Sequence, residues 1–298
     1  NLLLDGITGG DYDYITTTNA LLSSLYFTRD TAPTNWAAIG GITLNEAPSP
    51  VTFGGMTIQG NFSYTAGTNL VEDYVRLTGS ILSSMTVGPD PLGNLHSVWY
   101  VVGTTTIPTG ATLTVTDNAI LKFGDNVNLE VNGSLIVNAT ATNEAIFTSI
   151  NDDVYFDTNG TATAATRSDW GFIRFNDNSI IDVDNAILSY MDYGFYNNTY
   201  YAPTSFSVTN TTFTEFNNSA IYADHYYDST QATYTLNNIT ITDGNGGFTY
   251  NDYAAIYLRA RNLGNINLAF DGITIDNYGN NSGDHGLWID IQDNSGAV

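Results

Sequence analysis

The chain has 298 residues, 42% of them hydrophobic, and carries 30 Asp and Glu against 7 Lys and Arg, a net charge of −23 at pH 7. That apolar content supports a sizeable core and argues against disorder, while the charge argues against nucleic acid and anionic membrane surfaces as partners. There is no cysteine, which excludes disulfides and thiolate metal sites, and no apolar run approaches the roughly 20 residues of a membrane-spanning helix, so no membrane insertion is expected.

Leu, Ile, Val, Thr, Tyr and Phe dominate, and long Ala/Leu/Glu/Lys windows are missing. Strand is therefore expected throughout and helix only as a minor element. The chain opens Asn-Leu-Leu-Leu-Asp without methionine or signal peptide, so it reads as a processed or cut product. Strand-like pieces at 2–4 and 21–27 flank a turn-rich stretch. Alternation returns at Val51/Phe53 and Met56/Ile58, then at 74–77 and 81–87. Gly88-Pro-Asp-Pro-Leu-Gly-Asn94 is the one convincing linker. It divides the chain into 1–87, read as coils continuing from a preceding copy, a linker or inter-module junction at 88–97, and coils over 98–298.

Residues 99–150 carry the clearest signal. Short alternating pieces recur at Leu113/Val115, Leu121/Phe123, Leu129/Val131, Leu135/Val137 and Ile146/Phe147, separated by Gly, Asn, Asp and Thr. Leu113 and Leu135 lie 22 residues apart, as do Val115 and Val137. Short strands repeating at about 20–25 residues mark a solenoid in which each coil stacks on the next. The expected fold is all-β: a right-handed parallel β-helix with little helix and no terminal caps.

Later elements fit the same scheme. Residues 151–168 read as a polar loop and 169–175 as a strong strand. One phrase recurs as NAILSY (185–190), NNITIT (237–242) and DGITID (271–276). Further strands are expected at 180–183, 206–208 and 288–291. Loops at 191–206 and 222–234 are long and aromatic. Within them Tyr193, Tyr196, Tyr200, Tyr201, Tyr226 and Tyr227 are candidates for glycan binding or lateral contact between fibres.

Two internal matches bear on assembly. YFTRDTAPTNWAAIGGITL (26–44) echoes IFTSINDD and RSDWGFIRF (146–175). In addition, NLGNINLAFDGIT (262–274) matches the end of the chain continued into its beginning, NSGAV (294–298) followed by NLLLDGIT (1–8), with eight of thirteen positions identical. Uncapped, complementary ends make heterologous contacts, and such contacts build filaments when they do not close. Candidate junction residues are Asn1, Leu2, Leu4 and Ile7, then Leu268, Phe270, Ile273, Trp288, Ile289 and Ile291, and Val298. The expected partner is the chain itself, head to tail or as tandem repeats.

Ile107-Pro-Thr-Gly-Ala-Thr-Leu-Thr-Val115, Leu129-Glu-Val-Asn-Gly-Ser-Leu135, Ile146-Phe-Thr-Ser149 and Asp169-Trp-Gly-Phe-Ile-Arg-Phe175 occur in that order. With these phrases the chain resembles the parallel β-helix modules of large bacterial and archaeal cell-surface proteins. The resemblance covers about 98–298 and implies an extracellular scaffold or adhesive role, without fixing a reaction.

Parallel β-helices also carry polysaccharide lyases and hydrolases. Asp152/Asp153 and Asp284-His285-Gly286 superficially resemble parts of the pectin-cleaving hydrolases, but the Asn-Thr-Asp and Arg-Ile-Lys pieces are absent. Arg259 and Arg261 form the only close pair of cations for lyase chemistry. His96, His225 and His285 read as surface or loop histidines. No enzyme activity is expected and no cofactor is required. Asp152, Asp153, Asp157, Asp182 and Asp184 are candidate calcium ligands, since hard cations seek clustered oxygens; solvated turn aspartates are the plainer reading. Nine Asn-x-Ser/Thr sequons, at Asn61, Asn132, Asn138, Asn159, Asn197, Asn210, Asn217, Asn238 and Asn280, are candidate glycosylation sites. The expected role is a structural subunit or tandem repeat of an extracellular filament, sheath or surface layer. A carbohydrate-binding adhesin module and a polysaccharide-degrading enzyme are the alternatives.

Overall fold

The computed structural model describes residues 2–5, 25–28, 42–44, 51–53, 56–58, 62–65, 74–81, 84–88, 98–155, 164–199, 203–225, 231–246, 254–261, 265–279 and 283–292. These form β1 (Leu2–Asp5), β2 (Leu25–Thr28), β3 (Ile42–Leu44), β4 (Val51–Phe53), β5 (Met56–Ile58), β6 (Phe62–Thr65), β7 (Tyr74–Ser80), β8 (Met85–Val87), β9 (Val98–Ile107), β10 (Thr112–Thr116), β11 (Ile120–Phe123) and β12 (Leu129–Val131). They continue as β13 (Ser134–Asn138), β14 (Ala145–Ser149), β15 (Ile173–Phe175), β16 (Ile180–Asp184), β17 (Ala186–Ser189), β18 (Tyr193–Thr199), β19 (Ser205–Thr214), β20 (Ser219–His225), β21 (Gln231–Gly244), β22 (Ala254–Arg261), β23 (Asn265–Tyr278) and β24 (His285–Gln292). One 3-10 turn, Asp153–Tyr155, is the only helical element among the described residues.

From β7 onward the pairing between coils is parallel, and three faces run the length of the stack. On the first face the inward residues are Met85, Leu113, Leu135, Ile181, Phe206, Tyr234 and Leu268, each paired with the next. The second face carries Trp99, Leu121, Phe147, Leu188, Phe213, Ile241 and Ile275. The third carries Thr105, Leu129, Ile173, Phe195, Ile221, Ile256 and Leu287. The chain is a parallel β-helix, and its core is the line where the three columns meet. The alternation in β10 and β13, inward Leu113/Val115 and Leu135/Val137 fully or almost fully buried, is what a period of two requires of a strand covered on one face. The 22-residue spacing is one coil: Leu113 pairs with Leu135 and Val115 with Val137.

The corner between the first and second faces is turned by residues in the left-handed region. Asn185, Asn210, Asn238 and Gly272 have φ of 58°, 47°, 52° and 62°. Asn tolerates this region because its short side chain bonds locally, and Gly because it has no Cβ. The side chains also link the coils: Asn238 Nδ2 donates to Asn210 Oδ1 at 2.8 Å, and Asn210 Nδ2 to Asp184 Oδ1 at 2.8 Å. These corners let β19, β21 and β23 run through as strands of 10, 14 and 14 residues, and β19 is longer than the 206–208 expected.

The N-terminal part pairs differently. β1 and β2 are parallel, but β4–β5, β3–β6 and β6–β7 are antiparallel, where stacked coils would pair in parallel. Residues 89–97 of the Pro/Gly stretch lie outside the described residues. β7 and β8 precede it, β9 and β10 follow it, and β7–β9 and β8–β10 pair in parallel.

The two described ends of 151–168 are tied together by the motif residues on either side; 156–163 lie outside the described residues. Ser149 Oγ donates to Asp169 Oδ2 (2.7 Å), as does Asn151 Nδ2 (3.1 Å), and Thr166 Oγ1 donates to Asp169 Oδ1 (2.6 Å). Trp170 is fully buried, stacks on Phe123 at 4.3 Å and donates its indole N–H to the Ser189 carbonyl.

Coil spacing leaves no room at one glycine. A Cβ on Gly133 would lie 2.3 Å from the carbonyl oxygens of both Pro108 and Ala111, backbone atoms that cannot swing away. Gly133→Ala is therefore expected to cost about 1–3 kcal/mol, measured by equilibrium denaturation. An unchanged midpoint would mean that the coils are not this close.

Candidate functional site

The last described coil is built like its predecessors but is not covered. Leu268, Phe270, Ile273 and Ile275 continue columns whose earlier members are fully buried, yet they are only partly buried. On the third face Leu287, Ile289 and Ile291 are 46%, 42% and 57% exposed, while Ile256, Leu258 and Ala260 beneath them are buried. Such an end has the open strand edge and apolar face that the next coil would normally cover. Of the junction residues named from sequence, Leu268, Phe270, Ile273, Trp288, Ile289 and Ile291 are gathered on this coil. Leu2 and Leu4 lie on β1, whose only strand partner among the described residues is β2. Asn1, Ile7 and Val298 lie outside the described residues.

A second feature was not anticipated. Tyr193 and Tyr196 belong to strand β18 and Tyr222 to β20, not to loops. On the outer side of the third face Arg174, Tyr196, Tyr222, Tyr257 and Trp288 are successive partners. Tyr196 stacks on Tyr222 (5.3 Å, 16°), Tyr222 on Tyr257 (4.8 Å, 7°) and Tyr257 on Trp288 (6.3 Å, 21°). The Arg174 guanidinium lies 4.9 Å from the Phe172 ring centre and 5.6 Å from that of Tyr196. The ring faces are turned on one another, which leaves the ring edges outermost. The strand period was hidden in the sequence because nearly every position of 193–197 is aromatic, Gly or Asn. Tyr200, Tyr201, Tyr226 and Tyr227 lie outside the described residues.

Beside the ladder, Arg259 Nε donates to Asp224 Oδ1 at 2.9 Å, and its Nη2 reaches Oδ2 of the same carboxylate. Burial works against both charges. On Asp224 burial is the larger effect and pushes the carboxyl up despite Arg259. On Arg259 the Asp224 hydrogen bond and charge outweigh burial and leave the guanidinium pKa raised. Burial, with Asp224 and Tyr257 adding to it, also raises the Tyr222 phenol. Arg259, one of the two candidate lyase cations, is thus tied to a carboxylate. Arg261 ends β22.

The remaining sequence candidates are dispersed. Among the described residues no group of three or more His, Cys, Asp or Glu is placed to hold a metal ion. The Asp152 carboxylate accepts from Thr148 Oγ1 at 2.5 Å and from the Val154 amide at 3.2 Å, and Asp153 is exposed. Asp182 is exposed on β16, and Asp184 accepts from Thr209 and Asn210. Asp157 lies outside the described residues.

His225 is not a surface or loop residue: it is buried in β20 against the Tyr234 hydroxyl. His285 starts β24, with its ring 4.9 Å from that of Trp288, and His96 lies outside the described residues. Among the sequons, Asn138, Asn210 and Asn238 are exposed, and Asn132 and Asn217 are half-buried. Asn197 is fully buried with its amide nitrogen given to the Phe175 carbonyl, so that nitrogen is not open to a glycan. Asn61, Asn159 and Asn280 lie outside the described residues. No family model, curated protein or solved structure matches the chain.

The Asp224–Arg259 pair sets a pH dependence. A carboxyl raised in the folded chain holds its proton at higher pH than in the unfolded chain. Its contribution to stability is full below the unfolded value and is lost as pH rises through the folded one. Stability by urea denaturation is expected to fall as pH rises from the ordinary Asp value, about 3.9, through the raised Asp224 value, with a smaller fall in Asp224→Asn. At pH 8 the same variant strands Arg259 and is expected to lose about 2–4 kcal/mol. An unchanged pH difference in Asp224→Asn would overturn this assignment.

Proposed function

We propose that the chain is a structural unit of an extracellular filament, sheath or surface layer, built by end-to-end continuation of β-helix coils. The observation that carries this reading is the uncovered coil of β23 and β24, where interior columns end half-buried or exposed. The match of 267–274 to 1–8, identical at six of eight positions, supports it from the sequence side. The acidic balance and the exposed sequons support a place outside the cell.

Magnitudes bear on how such a contact holds. Covering the seven apolar side chains of the open coil contributes on the order of 1 kcal/mol each. Association costs about 4–15 kcal/mol in lost freedom. Apolar burial alone therefore does little more than offset that cost, and the backbone ladder must supply the surplus. Carbohydrate binding has less support, since sugar platforms need open ring faces and those of the tyrosine ladder cover one another.

Electron microscopy and sedimentation of the chain at rising concentration test the reading. Linear oligomers are expected, and Ile289→Lys/Ile291→Lys is expected to leave monomers with an unchanged β-sheet circular dichroism spectrum. Wild-type protein that stays monomeric at millimolar concentration would sink the proposal. The denatured mass of the native material then separates the two forms of assembly: 32.2 kDa means separate subunits, and a multiple of it means tandem units.

A further inference from the structure

Resting on the assembly reading above, we infer that strand β1 of a second copy seats in parallel on the free edge of β23, with Leu2 beside Leu268, Leu4 beside Phe270 and Asp5 beside Asp271. The occupant of the open coil is thus this chain itself, in a single register.

The strand edges fit. β23 pairs with β21 through twelve residue pairs, and no described strand pairs with its other edge. β1 pairs in parallel with β2, Leu2 to Leu25 through Asp5 to Thr28, and no described strand pairs with its other edge. Seating β1 of the next copy against β23 gives the order β21, β23, β1, β2 with every step parallel. An antiparallel first strand could not be added this way without ending the coil pattern.

The sequence fixes the register. Leu2, Leu3 and Leu4 are all apolar, so side-chain alternation alone would allow a slip by one residue. The corners and the inward columns together do not allow it. Gly272 occupies the left-handed corner position that Asn210 and Asn238 hold in the coils below. The residue matched to Gly272 is Gly6. At the second corner Asp243 and Asn277 have φ of 56° and 51°, and the residue matched to Asn277 is Asp11, followed by Tyr12 against Tyr278. Both corners thus continue in residue types that accept the conformation. A slip one way would bring the β-branched Ile7 to the Gly272 corner, where it is strained; a slip the other way would bring Asp5 there but would put Gly6 beside Ile273 and Asn1 beside Leu268, ending both apolar columns. Residues 267–278 and 1–12 are identical at seven of twelve positions, Tyr278 and Tyr12 among them.

The register also has a cost that makes it recognisable. In the coils below, Asp271 faces Asn237, which faces Thr209, so like charges are not adjacent. At the junction Asp5 meets Asp271. Directly opposed like charges on neighbouring strands oppose pairing.

Two measurements test this. The chain has no cysteine, so introduced thiols are the only ones present. Leu3→Cys protein mixed with Ala269→Cys protein is expected to give a covalent dimer under mild oxidation or with a short bis-maleimide. Leu3→Cys mixed with Asn267→Cys is expected to give at most a few per cent of that yield. In addition, Asp5→Asn is expected to lower the critical concentration for assembly by about threefold. Linear oligomers that form without the 3–269 product, or with equal yield from 3–267, overturn the register while leaving end-to-end assembly standing. Failure of all copies to associate overturns both.

Discussion

Parallel pairing in register is the constraint on which the rest of the molecule depends. It places each residue beside its counterpart one coil away, so whatever suits a position must suit it repeatedly. The inward columns are therefore apolar through six or seven coils. The corner positions repeat Asn and then Gly because each coil needs a left-handed residue there. The outer face repeats as well, which turns separate tyrosines into a ladder with rings 4.8–6.3 Å apart. Aromatic pairs of this kind add to stability beyond the area they bury. The same rule makes the end of the stack a liability, because each coil is an open edge until another covers it.

How far the fold was legible follows from where the repeat is uninterrupted. Between β10 and β13 it is, and Leu113 and Val115 announce their partners Leu135 and Val137 by spacing alone. NNITIT and DGITID likewise stack, Ile239 on Ile273 and Ile241 on Ile275. NAILSY joins the same column through Phe213, a residue that the shared phrase does not contain. The spacing fails where a loop is inserted. Leu129 and Ile173 are partners across 44 positions (173 − 129), because a long insertion separates β14, which ends at Ser149, from β15, which begins at Ile173. Composition still marked that excursion, since the Ile-Phe-Thr-Ser and Asp-Trp-Gly phrases bracket it and join at Ser149 and Asp169.

Other features were hidden for a physical reason. Residue type does not say what lies over an outward position. Lys122, the only lysine, pairs with Tyr100 and Thr148 and would be expected to be solvated. It is fully buried, with its ammonium donating to the Asp152 carbonyl at 2.8 Å, because the chain at 151–155 crosses above it. Beneath the same crossing, Ser189 Oγ donates to Thr148 Oγ1 and Thr148 Oγ1 to Asp152. Asp152 thus has structural partners that a count of clustered carboxylates does not reveal. His225 escaped notice in the same way, since its strand is covered on a side that alternation leaves open.

The open coil and the charge of the chain pull in opposite directions. A net charge of −23 on each unit repels other copies, but at physiological salt this repulsion is screened over about 8 Å. The coil edge acts at strand spacing, about 4.8 Å, well inside that distance, where apolar contact and backbone hydrogen bonds dominate. Lateral approach of two acidic flanks has no such edge to meet. In the proposed assembly the balance therefore favours growth along the solenoid axis over sideways clumping. An uncovered sheet edge would otherwise invite any strand, and in the proposed assembly the left-handed corners narrow the choice to a strand that carries Gly, Asn or Asp at the turn. Residues 1–12 carry that pattern themselves, in the phase the last coil requires.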